Sequence, residues 1–279
     1  MATCLSHCDL AILFQLQEKV SLTISHIHQL CFSGLSRDSA YKGVSKLKRR
    51  GFVIAHSYDF GRKGKLQDLL FLTKSGFAQL QKAGLVDTEY RYKTPPSLIV
   101  DYFHRTAIVD YWIYLERALS NDQIYKLADF YPEFKKLSNG KSITLKAESA
   151  AGEVLQVRND ALFIVQKRQA GTEFLFMLEI DRGTIPITTG YNVVNRIEQN
   201  MKIRSNLLTK ITKVQNVFDH WQTFINALPP RFHHFEGARV LVLTGAKKRI
   251  LNIEKRLLIR EPYFSLGTFI FQVKEYSKK

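Results

Sequence analysis

The sequence predicts an α+β protein of two domains, the first mostly helical and the second alternating helices with strands. Three observations carry that prediction. Apolar residues recur at helical spacing as far as Leu47 and then give way to two short strand-like runs. A polar segment, Asp87 to Ser97, contains Pro95-Pro96. From Ile143 onward the apolar residues come in strand-length runs broken by turns. The proline-bearing segment sets the boundary, giving domains at 1–86 and 97–279. A chain of 279 residues is long enough for two cores of moderate size.

Composition narrows the class. Apolar residues make up 45% and charged residues 24%, values of an ordinary globular chain. No apolar run is long enough to span a bilayer, and the N-terminus lacks the pattern of a signal peptide, so a cytoplasmic protein with no membrane partner is expected. Cys4, Cys8 and Cys31 are odd in number, which speaks against a disulfide framework. Cys4, Cys8, His7 and either His26 or His28 supply the ligand types of a zinc site, but the spacing fits no standard finger. Lys and Arg number 41 against 25 Asp and Glu, a net charge of +16. That excess favours a polyanionic partner, and nucleic acid is the first such partner to consider.

The first helix is read over Asp9 to Glu18, with Asp9 as N-cap and Leu10, Leu13, Phe14 and Val20 as its apolar positions. A second starts near Thr23, capped by Ser21 or Thr23, with Ile24, Ile27, Leu30 and Cys31 inward. A third begins at Ser36 and runs through Ala40, Val44 and Leu47 to Gly51. Turning those three inward leaves Arg37, Tyr41, Lys42, Ser45, Lys46, Lys48 and Arg49 for the outer face. Strands at Phe52 to Ala55 and Gln67 to Thr73 flank a basic turn holding Arg62, Lys63 and Lys65, and a fourth helix, Lys74 to Lys82, closes the unit. This order is that of a winged helix-turn-helix. Between Ser36 and Lys65, nine basic residues against two acidic ones give +7; Met1 to Gly84, with twelve against five, gives the same value. The excess therefore sits on the helix and hairpin that would touch double-stranded DNA.

In the second domain a long helix, Leu98 to Leu119, carries His104, Asp110 and Glu116. His104 reads as a hydrogen-bonded interior residue or a site residue, and Glu116 as a solvated helix end or an acid lent to a site. Strands follow at Ile143 to Ala147, Val154 to Val157, Asp160 to Lys167 and Phe174 to Asp181, most simply as a meander. A basic helix, Asn192 to Leu228, ends at Pro229-Pro230; then come a strand at Ala238 to Leu243, a helix from Lys247 and a last strand at Thr268 to Val273. The run from Phe174 to Ile180 is apolar until Glu179, Asp181 and Arg182 appear at its end, and strand alternation puts Glu179 and Asp181 on one side. Two neighbouring carboxylates need a metal, a proton or a cation between them. The plainer alternative is a strand end paired with nearby basic residues.

These motifs together resemble the replication-relaxation proteins of plasmids and other mobile elements, some of which look like mobilisation relaxases. The resemblance rests on the winged helix, His104 to Asp110, Arg158-Asn159-Asp160 with the strand after it, Glu179-Ile180-Asp181-Arg182-Gly183-Thr184, and Val240 to Thr244. It implies a second domain similar to the PD-(D/E)xK nucleases. On that resemblance Asp160 and Glu179 would form the metal pair, nineteen positions apart, holding Mg²⁺ or Mn²⁺. Two departures stand out: Asn159 where proline is common, and Asp181 where the motif has lysine. The missing cation would come from Arg182, Lys167 or Lys202, with Arg182 first; otherwise Asp181 is a third ligand, or catalysis is lost.

Three functions are expected from this reading. One is a DNA-binding protein of a mobile element that nicks or relaxes its site. Another is a non-catalytic replication or transcription regulator with a degenerate nuclease-like domain. The third is protein assembly through the aromatic-rich second domain, and a homodimer is left open. A tyrosine-type relaxase would need a histidine metal site, for which His233-His234 is a weak candidate.

Overall fold

The structure, a computed structural model, describes residues 4–58, 65–87, 92–95, 101–136, 142–143, 145–148, 154–181, 235–244, 248, 251 and 269–275. Its elements begin α1 (His7–Lys19), α2 (Ile24–Cys31), α3 (Arg37–Arg49), β1 (Val53–His56), β2 (Leu69–Leu72), α4 (Lys74–Lys82) and α5 (Tyr102–Ser120). They continue β3 (Tyr125–Pro132), β4 (Leu145–Glu148), β5 (Val154–Val157), β6 (Ala161–Lys167), β7 (Glu173–Asp181), β8 (Gly237–Thr244) and β9 (Phe269–Glu275). Contacts divide the chain into two compact units, Met1–Tyr114 with Phe134–Ser142, and Leu115–Glu133 with Ile143–Lys279. The helix that follows the prolines thus starts in the first unit, where Val109 and Ile113 share a buried cluster with Leu13 and Leu47.

In the first unit the N-cap of α1 is Ser6, which corrects the reading of Asp9. Ser6 Oγ accepts from the Asp9 N–H at 3.2 Å, and the Asp9 carboxylate accepts from the Ser6 N–H at 2.9 Å. Asp9 is therefore the third residue of a capping box, in the role glutamate often fills. The buried apolar positions of α1 are Ile12, Leu13 and Leu16, while Leu10 and Phe14 are only partly covered. Thr23 caps α2 as expected. Its reciprocal partner is His26, whose Nδ1 accepts from the Thr23 N–H at 3.1 Å. Along α3, Ala40, Val44 and Leu47 are buried as the spacing predicts.

β1 and β2 pair antiparallel from Val53↔Leu72 to His56↔Leu69, and a bridge between Leu22 and Leu70 adds a third chain to this small sheet. Three helices, a hairpin and α4 at its expected bounds make the winged helix-turn-helix. Thr73 caps α4, and Phe77 and Leu80 anchor it. Gly76 is required there: a Cβ would meet Phe52 O at 2.3 Å.

The second unit holds a five-stranded sheet in the order β3-β6-β7-β8-β9. β6 runs antiparallel to both β3 and β7, while β7, β8 and β9 are parallel. Two expectations change here. β4 and β5 form a separate antiparallel pair and do not continue a meander through the sheet. β3 had no counterpart in the sequence reading, because its register breaks between Leu127 and Asp129 and it ends on Pro132. An edge strand tolerates both features. β7 lies in the centre, and Leu175, Met177 and Leu178 are sealed on its two faces.

Candidate nucleic-acid surface and acidic strand-end cluster

Once α3 is seated by its apolar stripe, Tyr41, Lys42, Ser45, Lys48 and Arg49 are exposed together. Arg37 is exposed at the start of the helix; its guanidinium donates to Ser25 Oγ at 2.9 Å and lies 5.8 Å from the Tyr41 ring. Lys46, expected to face outward with them, is half-buried, and its Nζ lies 2.6 Å from Asp9 Oδ2. Lys65 is exposed at the base of the hairpin, 3.8 Å from Asp68. Arg62 and Lys63 of the wing lie outside the described residues. So do Arg182, Lys202, His233-His234 and the basic helix expected from Asn192.

The second candidate site gathers at one end of the central sheet. Continuing the β6–β7 register one step past Ala161↔Leu178 brings Asp160 opposite Glu179, and Asp181 pairs with Thr244 across the parallel β7–β8 boundary. The carboxyl ends of parallel strands are where ligands of open α/β sheets bind. Asp160 is held there by three bonds: its N–H donates to Leu178 O at 3.1 Å, its carbonyl accepts from the Glu133 N–H at 2.8 Å, and Oδ2 accepts from the Ile180 N–H at 2.6 Å. The Asp160 carboxylate thus takes the place of a ladder acceptor where β6 stops. Asn159 Nδ2 donates to Glu179 Oε1 at 2.9 Å.

All three acids are buried, with 5% of Asp160, 3% of Glu179 and 7% of Asp181 exposed. Burial of a carboxylate is costly without such donors. Two further oxygens at this end, Asn159 Oδ1 and Thr244 Oγ1, are buried with no hydrogen-bond partner among the described residues. Thr244 was not singled out in the sequence, where it reads as the polar terminus of an apolar strand; only its register with Asp181 brings it in. These carboxylate, amide and hydroxyl oxygens are the donor type that a hard cation such as Mg²⁺ takes, commonly one or two protein carboxylates with water. Among the described residues no three His, Cys, Asp or Glu side chains are grouped to hold a metal by themselves. The zinc grouping is likewise absent among them. His26 has both ring nitrogens engaged, Nδ1 by Thr23 and Nε2 by Asp110 Oδ1 at 2.9 Å.

Fold and site together define a winged helix-turn-helix protein with a mixed-sheet second unit bearing a strand-end acid cluster. The chain matches the replication-relaxation family model over residues 13–203, more than half its length, and belongs to that family. Among solved structures it is similar to a zinc-responsive MarR family member, ZitR of Lactococcus lactis, at 15% identity and a TM-score of 0.25, covering 30% of this chain and 54% of that one. It is also similar to a MarR family regulator from Neisseria meningitidis, at 22% identity and a TM-score of 0.24, covering 29% and 53%. A third is Bacillus subtilis PadR in complex with operator DNA, at 18% identity and a TM-score of 0.26, covering 43% and 73%. The chain thus spans about half the length of the first two. Comparison with curated proteins finds no match. Among the described residues no helix is long and apolar enough to cross a membrane.

Proposed function

We propose that this protein binds double-stranded DNA through α3 and the β1–β2 hairpin, and acts in replication, relaxation or mobilisation of a plasmid or other mobile element. The observation that carries the DNA reading is the outer face of α3, where Tyr41, Lys42, Ser45, Lys48 and Arg49 are exposed opposite a buried stripe. On this reading the lysines and arginine neutralise phosphates, and Tyr41 and Ser45 are the side chains that reach base edges. Membership of the replication-relaxation family supports the same reading.

For the second unit we propose a PD-(D/E)xK-like site for phosphodiester cleavage. Asp160 and Glu179 would hold Mg²⁺ or Mn²⁺, which when bound polarises a phosphodiester and acidifies a water. The chain's own residues supply the rest. The Ile180 N–H fixes the Asp160 carboxylate, Asn159 orients Glu179, and Asp181 and Thr244 line the adjoining strand end. Arg182 is the proposed cation beside the scissile phosphate. Purified protein with supercoiled cognate plasmid and either metal should yield nicked circles, and Glu179→Ala should abolish them.

One observation favours a second reading, a DNA-binding regulator without catalysis. Asp160 and Glu179 both accept hydrogen bonds that stitch β6 to β7, a structural use that needs no metal. On that reading DNA binding is specific and salt-sensitive, and is unchanged by Glu179→Ala.

A further inference from the structure

We propose that Lys46 is a positioning residue that sets the orientation of α3, not one of its phosphate contacts; the inference rests on the DNA-binding reading above. Lys46 Nζ lies 2.6 Å from Asp9 Oδ2, a short charge-assisted contact between groups 37 positions apart. The Asp9 side chain is only 4% exposed, and the same oxygen accepts the Ser6 N–H at 2.9 Å. Asp9 is therefore a fixed anchor, set by the capping box of α1, and Lys46 is the movable partner.

A phosphate that captured the Lys46 ammonium would leave a buried carboxylate without its cation. Breaking such a pair costs more than a surface ion pair returns. Lys42, Lys48 and Arg49 are exposed and face no such penalty.

The placement of Lys46 along the helix gives the contact its use. Ala40, Val44 and Leu47 form the buried apolar stripe of α3; burial is non-directional, so it fixes how deeply the helix sits but resists rolling about its own axis less than directed polar contacts do. Polar ties at the two ends of the helix supply that resistance. Near its start Arg37 donates to Ser25 Oγ of α2, and in its last turn Lys46 pairs with Asp9 of α1. The exposed side chains between these ties are thereby held at one angle.

Two measurements on the full chain test this. Binding to a fluorescein-labelled duplex of arbitrary sequence is followed by anisotropy over a salt series. Lys48→Met should lower the slope of log affinity against log salt by about 0.9, as for one lost phosphate contact. Lys46→Met should leave the slope at the wild-type value while weakening binding at every salt concentration, and Lys46→Arg should restore the affinity. In thermal unfolding, Asp9→Asn and Lys46→Met should each lower the midpoint, and the double variant should fall no further than the worse single one. A slope reduced by about 0.9 in Lys46→Met overturns the proposal, as do strictly additive midpoint shifts. If the wild-type chain shows no salt-dependent binding, the DNA reading falls, and the unfolding cycle still decides whether Lys46 and Asp9 act as a unit.

Discussion

Asn159 donates to Glu179 at 2.9 Å, and both side chains are almost wholly removed from solvent. The amide satisfies one oxygen of that buried carboxylate at the strand end. Asn159→Asp would replace that donor with a second carboxylate facing Glu179. The expected loss of folding stability is about 3 kcal/mol, the scale of an uncompensated buried charge. Mn²⁺ should raise the melting temperature of this variant more than that of the wild type, because a divalent ion relieves the repulsion. Melting curves with and without metal decide it; equal responses would mark the cluster as purely structural.

Gly76 cannot be enlarged. Its missing Cβ would meet Phe52 O at 2.3 Å and Leu72 Cδ1 at 2.8 Å, and the first of these is backbone that cannot swing away. Gly76→Ala should therefore lower stability by about 1–3 kcal/mol through forced separation of α4 from the chain beside β1. Gly34→Ala meets nothing within 4 Å but sits at φ +86°. Its cost should come from backbone strain alone and stay near about 1 kcal/mol. Urea titration of the two variants should rank them in that order.

The three thiols should differ sharply in reactivity. Burial, with the neighbouring Cys8, pushes the Cys31 thiol up to about 11, so it is protonated at neutral pH. Cys4 and Cys8 are exposed. Iodoacetamide at neutral pH should label Cys4 and Cys8 in the native protein and reach Cys31 only when the chain is unfolded. Peptide mass mapping after timed labelling reads the result directly.

The Asp9 anchor has a pH signature. Burial pushes its carboxyl up, but the hydrogen bonds from Lys46 and Ser6 outweigh burial and hold it below its ordinary value of 3.8. A depressed carboxyl contributes stability that is fully present above the unfolded-state value and is lost as pH falls through the folded one. The wild-type chain should thus lose stability below about pH 4 more steeply than Asp9→Asn, while above about pH 5 the variant is the less stable of the two. Unfolding midpoints across that range check that the two curves converge as pH falls.

Much of the first unit was legible in the sequence. Ala40, Val44 and Leu47 recur at helical spacing, and Lys74–Lys82 carries its own cap in Thr73. Both are local patterns, within reach of a single turn or strand. The errors were of another kind. Asp9 reads as a cap because it precedes an apolar run, but Ser6, three residues earlier, competes for that place and wins by forming both halves of the box. β3 went unseen because an edge strand with a register break and a terminal proline lacks clean alternation.

The sequence by itself determined the helix-turn-helix order, the position of the positive charge and the apolar strands that carry Asp160, Glu179 and Asp181. Periodicity and charge are properties of neighbours along the chain, so they can be read without a fold. Tertiary structure alone decided that Lys46 turns to Asp9, that the Asp160 carboxylate is bonded to the Ile180 backbone, and that Thr244 stands beside Asp181. Each of these joins groups at least 20 positions apart. Which distant polar group satisfies which is chosen by packing, since a buried charge goes to whatever donor the folded core brings within reach.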